Sequence, residues 1–461
     1  MTMNAVLLKE LRQSVRNRYV LAAYVIFIVV LLIVAGVQVS LFLQKSWDSP
    51  HSLFNSGQTL FLTIHGIFAA LACMFIPIYV LTRITQERWG TNLDLMYVTP
   101  MPPSALLIGK FCSAMALAGL FLSGALPFLA FSYFIGGIDV LSIVMTVILT
   151  LLLVAILTLY TMVIAITPMP RIIHRLAQIV LVLQLLGAVQ AWVMVSSFLC
   201  VGGYTRIFAD RDSCIVLVEL MAVGVSVAGL CYAAALAGFR SVNLDRMRPF
   251  RILATALFLV WGGVAAVQSR YWPFEHFLQA WVCVLTLFSA GMLVVGLSER
   301  TDPGAHLQKS LPRSLIGRIL GYPFRTGQLN AVCWALLLFA TGLALSNTLF
   351  SNYRTTDFAD AGRVFVLNIS GYALTMLVLW RYVLRFKRVP AASLWWVTGT
   401  VIVLVTAILG PMCAGGVDAI DYFIGYPFAQ KRAFVLPWLF VWNYVALLCL
   451  IPAYFGFPKK N

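Results

Sequence analysis

Charge is what this sequence has least of. Only 10% of its 461 residues are charged, and 16 of them are Asp or Glu, where a globular chain is roughly a quarter charged. That scarcity, with 61% hydrophobic residues and a mean hydropathy of +0.93, excludes the two or three soluble domains that the length would otherwise imply. It reads as a polytopic membrane protein. Cysteine pairing is missing as well. The nine cysteines contain no CxxC pair, and Cys73, Cys112, Cys231, Cys283, Cys333 and Cys449 sit inside apolar runs. They read as small buried hydrophobes, which excludes a disulfide framework and a zinc site.

Nucleotide-hydrolysing machinery is also lacking. A phosphate-cradling loop needs GxxxxGK[ST]. The nearest string, SALLIGKF at 104–111, lacks the first glycine and places Phe111 where the hydroxyl should stand. No soluble stretch is long enough for an ATPase fold, so no cofactor is expected on this chain. His51, His174, His276 and His306 are scattered among loops without an HExxH, HxxxxD or DxxxD pattern. Catalytic and metal-ligating residues are therefore not expected, and the chain does not read as an enzyme. Ionisable groups inside the apolar runs are few, although each would mark a functional position by default. They are His65 and, one to two turns into its run, Glu219; Gln184 and Gln190 read as hydrogen-bonding glue between helices.

What the chain has in abundance is long apolar runs. A spanning helix needs about 20 mainly apolar residues, and twelve segments supply them: 19–43, 58–82, 105–135, 140–166, 176–201, 214–238, 252–268, 274–297, 328–349, 363–384, 393–411 and 434–456. The expected fold is all-α with about twelve transmembrane helices. With the N-terminus inside, 24 of the 32 Lys and Arg fall on the inner segments and the helix ends beside them, which places both termini in the cytoplasm. The net charge of +16 is then orientation signal, and nucleic acid is not an expected partner. Pro77, Pro127 and Pro411 interrupt their spans, and segment 412–433 is apolar enough to dip into the outer leaflet.

Ahead of the first span, VLLKELRQSVRNRY puts Leu7, Leu8, Leu11 and Val15 on one face and Lys9, Arg12 and Arg16 on the other. Residues 1–18 therefore read as an interfacial helix on the inner leaflet, with membrane lipid as its partner. A basic linker at 239–251 separates a first half, 19–238, from a second, 252–461.

The most specific stretch is 83–111, RITQERWGTNLDLMYVTPMPPSALLIGKF, whose loop spans 83–104. Arg83, Glu87 and Arg88 leave an apolar helix and Gly90 lets the backbone break. Thr91 and Asp94 stand at capping-box spacing, so 92–98 can form a short helix carrying Leu93, Leu95, Met96, Tyr97 and Val98. Pro100, Pro102 and Pro103 end it. A greasy, capped helix held at the membrane edge by charges is shaped to plug into a partner. The inner loop 298–328 echoes it. Glu299-Arg300 repeats Glu87-Arg88, and Leu315-Ile316-Gly317-Arg318 repeats Leu107-Ile108-Gly109-Lys110, six spans later. That offset is consistent with a parallel six-plus-six repeat; chance similarity between apolar sequences is the competing account.

On these residues the chain resembles the membrane-spanning permease of type-2 ABC exporters. The family pattern is a basic amphipathic lead-in, then E-R-x-x-G-T-x-x-x-L-x-x-T-P and, some residues later, I-x-G-K. This chain has ERWGTNLDLMYVTP and IGKF, with Glu87, Arg88, Gly90, Thr91, Leu95, Thr99, Pro100, Gly109 and Lys110 in the matching places. The resemblance covers about the first 135 residues and implies that 92–98 is a coupling helix, with Asp94 and Tyr97 on it, seated in a cytoplasmic ABC ATPase dimer that binds ATP and magnesium. It also implies export across the cell membrane. The family's usual permease has six spans and pairs with a second copy. Twelve spans here imply either a fused pseudo-dimer, with Glu299, Arg300 and Asp302 in a second coupling element, or a six-span core with an unrelated second half. The competing reading is a polytopic scaffold, or an enzyme of lipid or envelope chemistry, without transport.

Overall fold

In the computed structural model the structure describes residues 5–48, 56–89, 102–167, 171–240, 245–271 and 321–349, with scattered positions between 281 and 299. Among them there is no strand. The helices are α1 (Ala5–Val15), α2 (Arg18–Asp48), α3 (Ser56–Trp89), α4 (Pro103–Ile135), α5 (Val140–Ile166), α6 (Arg171–Gly202), α7 (Tyr204–Ala209), α8 (Arg211–Phe239), α9 (Arg248–Tyr271) and α10 (Gln328–Leu349). Seven of these are long and apolar enough to cross a membrane, from Arg18–Leu43 to Arg248–Gln268, and they coincide with the first seven expected spans. A polytopic helical membrane protein is therefore what the chain builds. Of the expected spans, 363–384, 393–411 and 434–456 lie outside the described residues, as do Pro411 and 412–433.

The chain divides into two compact units, Met1–Pro168 with Arg175–Arg240, and Met169–His174 with Ser241–Asn461. In the first, α3 is the hub and packs against α2, α4 and α5, while α8 lies along α5. The seam is made of residues at helical spacing: Phe61, Ile64, Phe68, Ala72 and Ile76 on α3 meet Ala114, Ala118, Phe121 and Ala125 on α4. Phe121 takes the edges of its neighbours at close range, with ring centroids 5.6 Å from Phe27 and 5.7 Å from Phe75. Small residues let the backbones approach. A Cβ on Gly57 of α3 would stand 2.0 Å from the Gly136 carbonyl oxygen, so only glycine fits at that crossing. By contrast, large residues on the outer side of α2, such as Ile26 and Ile33, are exposed, as they must be against lipid.

Pro77 and Pro127 do not interrupt their helices. Both α3 and α4 run through them unbroken, because in a packed bundle neighbouring groups can take over the freed carbonyl. Nor does α3 end where its apolar run ends. Its 34 residues make a rod about 50 Å long at 1.5 Å per residue, against about 30 Å of hydrocarbon. Arg83, Glu87 and Arg88 therefore ride on a helical extension, and the connection to α4 is shorter than the expected 83–104 loop. Asn17 separates α1 from α2 by capping the latter, its side chain accepting from the Tyr19 amide at 3.0 Å. Between α6 and α8 the chain inserts α7, whose buried Tyr204 donates its amide to Ser142 Oγ at 3.3 Å.

In the second unit α9 packs on α10. Trp334 of α10 meets Phe250 edge-on and donates its indole N–H to Thr255 Oγ1 at 3.0 Å.

Candidate functional site

Three helices of the first unit bring their charges to one point. α1 contributes Glu10 and Gln13, adjacent on one helical face; α3 contributes Arg83 and Glu87, one turn apart; α4 contributes Lys110 near its start. Lys110 Nζ stands 2.8 Å from Glu10 Oε1 and 2.7 Å from Glu87 Oε2. It is thus the shared cation of two carboxylates. Arg83 approaches the second oxygen of Glu10 at 4.0 Å and donates to Gln13 Oε1. The cluster carries two positive and two negative charges. Its centre is buried, with Lys110 5% and the Glu10 side chain 9% exposed, while Glu87 at 22% forms the wetter rim. Charges this deep persist only when paired, so the three helices are tied at this end.

The two parts of the sequence motif that lie furthest apart, Glu87 and the Lys110 of I-x-G-K, are therefore partners. Gly109 is buried beside Lys110. Between them, Gly90, Thr91, Asp94, Leu95, Tyr97, Thr99 and Pro100 lie outside the described residues, as does the side chain of Arg88. Sequence reasoning missed Glu10. Its signal was available, since it is the single acid in an otherwise basic lead-in, and an acid kept there needs a cation to meet. The expected apolar face of α1 is also split. Glu10 and Ser14 are buried and Leu7 and Leu11 half-buried on the inward side, whereas Leu8 and Val15 turn outward. Burying the ion pair dictates that rotation.

The second unit has its own buried pair. Glu299 bonds Arg251 of α9 and accepts from the Gly327 amide at 2.6 Å. Arg251 also donates to the carbonyl oxygens of Pro323, at 2.9 Å, and Arg325, and its guanidinium lies 5.7 Å from the Trp334 ring centroid. Burial pushes the Glu299 carboxyl up from its ordinary value, and Arg251 and the Gly327 amide pull against that rise. Asp245 completes the fastening by accepting from the Thr326 amide and hydroxyl at 2.8 and 2.7 Å. Glu299 thus holds the 321–327 turn to the start of α9, and its expected role in a second coupling element rests on Arg300 and Asp302, which lie outside the described residues.

His65 is fully buried on α3, stacked on Phe61 with centroids 5.6 Å apart. Its Nε2 lies 2.8 Å from Thr150 Oγ1, which also takes the Trp192 indole N–H at 3.0 Å. The Thr150 hydroxyl has one proton, and that goes to the Thr146 carbonyl at 2.7 Å. Both lone pairs must then accept, so His65 Nε2 carries a proton and donates to Thr150. Trp192, Thr146 and Thr150 escaped the sequence reading because their meeting with His65 depends on the packing of α3, α5 and α6. Gln184 does act as interhelical glue, accepting from the Tyr160 hydroxyl at 2.8 Å; Gln190 is exposed and Glu219 half-buried. Among the described residues no group of His, Cys, Asp and Glu could hold a metal ion.

The chain matches no family model, no curated protein and no solved structure. The knot's two positive and two negative charges balance, and its centre, Lys110 and Glu10, is buried and paired. It ties α1, α3 and α4 together at the one point where the 90–101 connection leaves and returns.

Proposed function

We propose that this chain is the membrane-spanning permease of an ABC exporter in the cell membrane, driven by ATP and magnesium bound to a separate cytoplasmic ATPase dimer. The observation that carries the reading is the Glu87–Lys110 bond, which ties the end of α3 to the start of α4, the two rigid helices that the 90–101 connection joins. A docking peg must be held so, because force applied to a loop reaches the spans only through stiff attachments. The knot adds α1 to the same attachment. On this reading Thr91, Asp94, Leu95, Tyr97, Thr99 and Pro100 meet the ATPase, and Glu87 and Lys110 position the peg. The full chain has about twelve spans with both termini cytoplasmic, and 298–328, with Glu299, Arg300 and Asp302, is the second half's counterpart of the coupling loop. A single chain then does the work of two six-span copies.

Affinity capture of the full chain from its native membrane tests this. The expected result is a co-purifying ATPase whose ATP hydrolysis falls on Asp94→Lys, which reverses the charge on the peg without touching the knot. Capture of the chain alone, or an ATPase indifferent to that substitution, overturns the transporter reading in favour of a scaffold or membrane enzyme.

A further inference from the structure

Glu10 is the one acid of α1, and the fold turns it inward, where Lys110 neutralises it. Every charge left on the outward side is cationic. Lys9, Arg12 and Arg16 are exposed, and so is Arg18 at the start of α2. Apolar side chains lie among them: Leu8 is exposed and Val15 is 71% exposed. That mixed face continues into the lipid-facing side of α2, where Tyr19 is 80% exposed and Leu21, Val25 and Ile26 follow.

We propose that the outward face of α1 binds anionic phospholipid headgroups in the leaflet at its end of the protein, and selects them over zwitterionic ones. Three features favour a lipid surface. The cations are interleaved with apolar groups that a nucleic acid or an acidic peptide could not use. The face runs directly into a helix side that must lie in hydrocarbon. And its only countercharge has been withdrawn into the knot, so among the described residues none forms an ion pair with these cations. Headgroup binding would then bear on the spans, since α1 is bonded through Glu10 and Lys110 to Glu87 at the end of α3. The proposal stands on the membrane-spanning fold alone and needs no ATPase.

The test uses the full chain in lipid nanodiscs made from an equimolar mixture of phosphatidylglycerol and phosphatidylcholine. The lipids retained after transfer to detergent are counted by native mass spectrometry. Wild type should retain phosphatidylglycerol in excess, and that excess should shrink with added salt. Arg12→Gln should lower it by about fivefold, the weight of one basic residue near an anionic surface. Lys9→Gln/Arg12→Gln/Arg16→Gln should abolish it. Arg206→Gln, at an exposed arginine on α7, should leave it unchanged. If the triple variant does not fold, Arg12→Gln and the salt series decide. Equal retention of both lipids by wild type, or an excess that survives both Arg12→Gln and high salt, overturns the proposal. Nucleic acid co-purifying with wild type and lost from Arg12→Gln would assign the face to a different partner and also overturn it. A null result here leaves the permease reading untouched, and an absent ATPase leaves this one untouched.

Discussion

Lys110→Met is the sharpest perturbation of the knot. Methionine keeps most of the length and bulk of the side chain and removes only the ammonium. Glu10 is then a carboxylate 9% exposed whose nearest remaining cation is Arg83 at 4.0 Å. Removing one partner of a buried pair costs about 3–5 kcal/mol, because the other charge stays behind. Arg83 recovers part of that for Glu10, and Glu87, at 22% exposure, recovers more from water, so the expected loss is about 2–3 kcal/mol. Glu87→Gln leaves Lys110 with Glu10 and should cost about 1 kcal/mol or less, close to the value of a partly exposed pair. Glu10→Gln/Lys110→Met should be more stable than Lys110→Met alone, since both the buried charge and its missing partner are gone. These values come from reversible denaturation of the reconstituted protein in mixed micelles, and Glu10→Gln alone completes the double-mutant cycle for the Glu10–Lys110 pair. Two results would refute the reasoning: Lys110→Met costing less than Glu87→Gln, or a double variant no better than Lys110→Met.

Two further outcomes follow from the other buried polar groups. Arg251→Gln should destabilise the second unit by about 3 kcal/mol at neutral pH. It leaves Glu299 with burial raising its carboxyl above the ordinary 4.5 and without Arg251 to oppose the rise. A raised native value means stability is present at low pH and lost as pH climbs through it, so the deficit of the variant should shrink on acidification. Thermal melts of the variant between pH 4 and pH 8 read this, and a deficit that grows toward acid would contradict it. Thr150→Val deprives the buried His65 and Trp192 donors of one shared acceptor and should cost about 1–2 kcal/mol, measurable by the same denaturation. The loss should be smaller when His65→Phe is added, which removes one of the two stranded donors.

How much of this was legible beforehand differs by element. The first seven spans were readable because twenty apolar residues in a row admit one arrangement in lipid, a helix with its backbone bonds satisfied internally. The ends were less so. α3 passes its apolar run by a further two turns, since Arg83 and Glu87 are good helix formers with partners waiting, and hydropathy records neither fact. Pro77 and Pro127 looked like interruptions because a proline's effect depends on what surrounds the freed carbonyl. The motif residues Glu87 and Lys110 were identifiable as a pair of strings, but their bond to each other was not.

The sequence by itself determined that this is a helical membrane protein, and that its charges fall mostly between the apolar runs. Composition and the cost of an unpaired backbone in hydrocarbon leave no other solution. Which charges meet was decided only by the tertiary structure. Glu10, Glu87 and Lys110 are distant in the chain and sit on three helices, and their encounter follows from how α1 and α3 pack against α4. So too with α1: its composition declared an amphipathic helix, but the need to bury Glu10 against Lys110 set which side faces the protein. That rotation leaves Lys9, Arg12 and Arg16 on the exposed side, because a carboxylate turned inward needs the cation that Lys110 supplies.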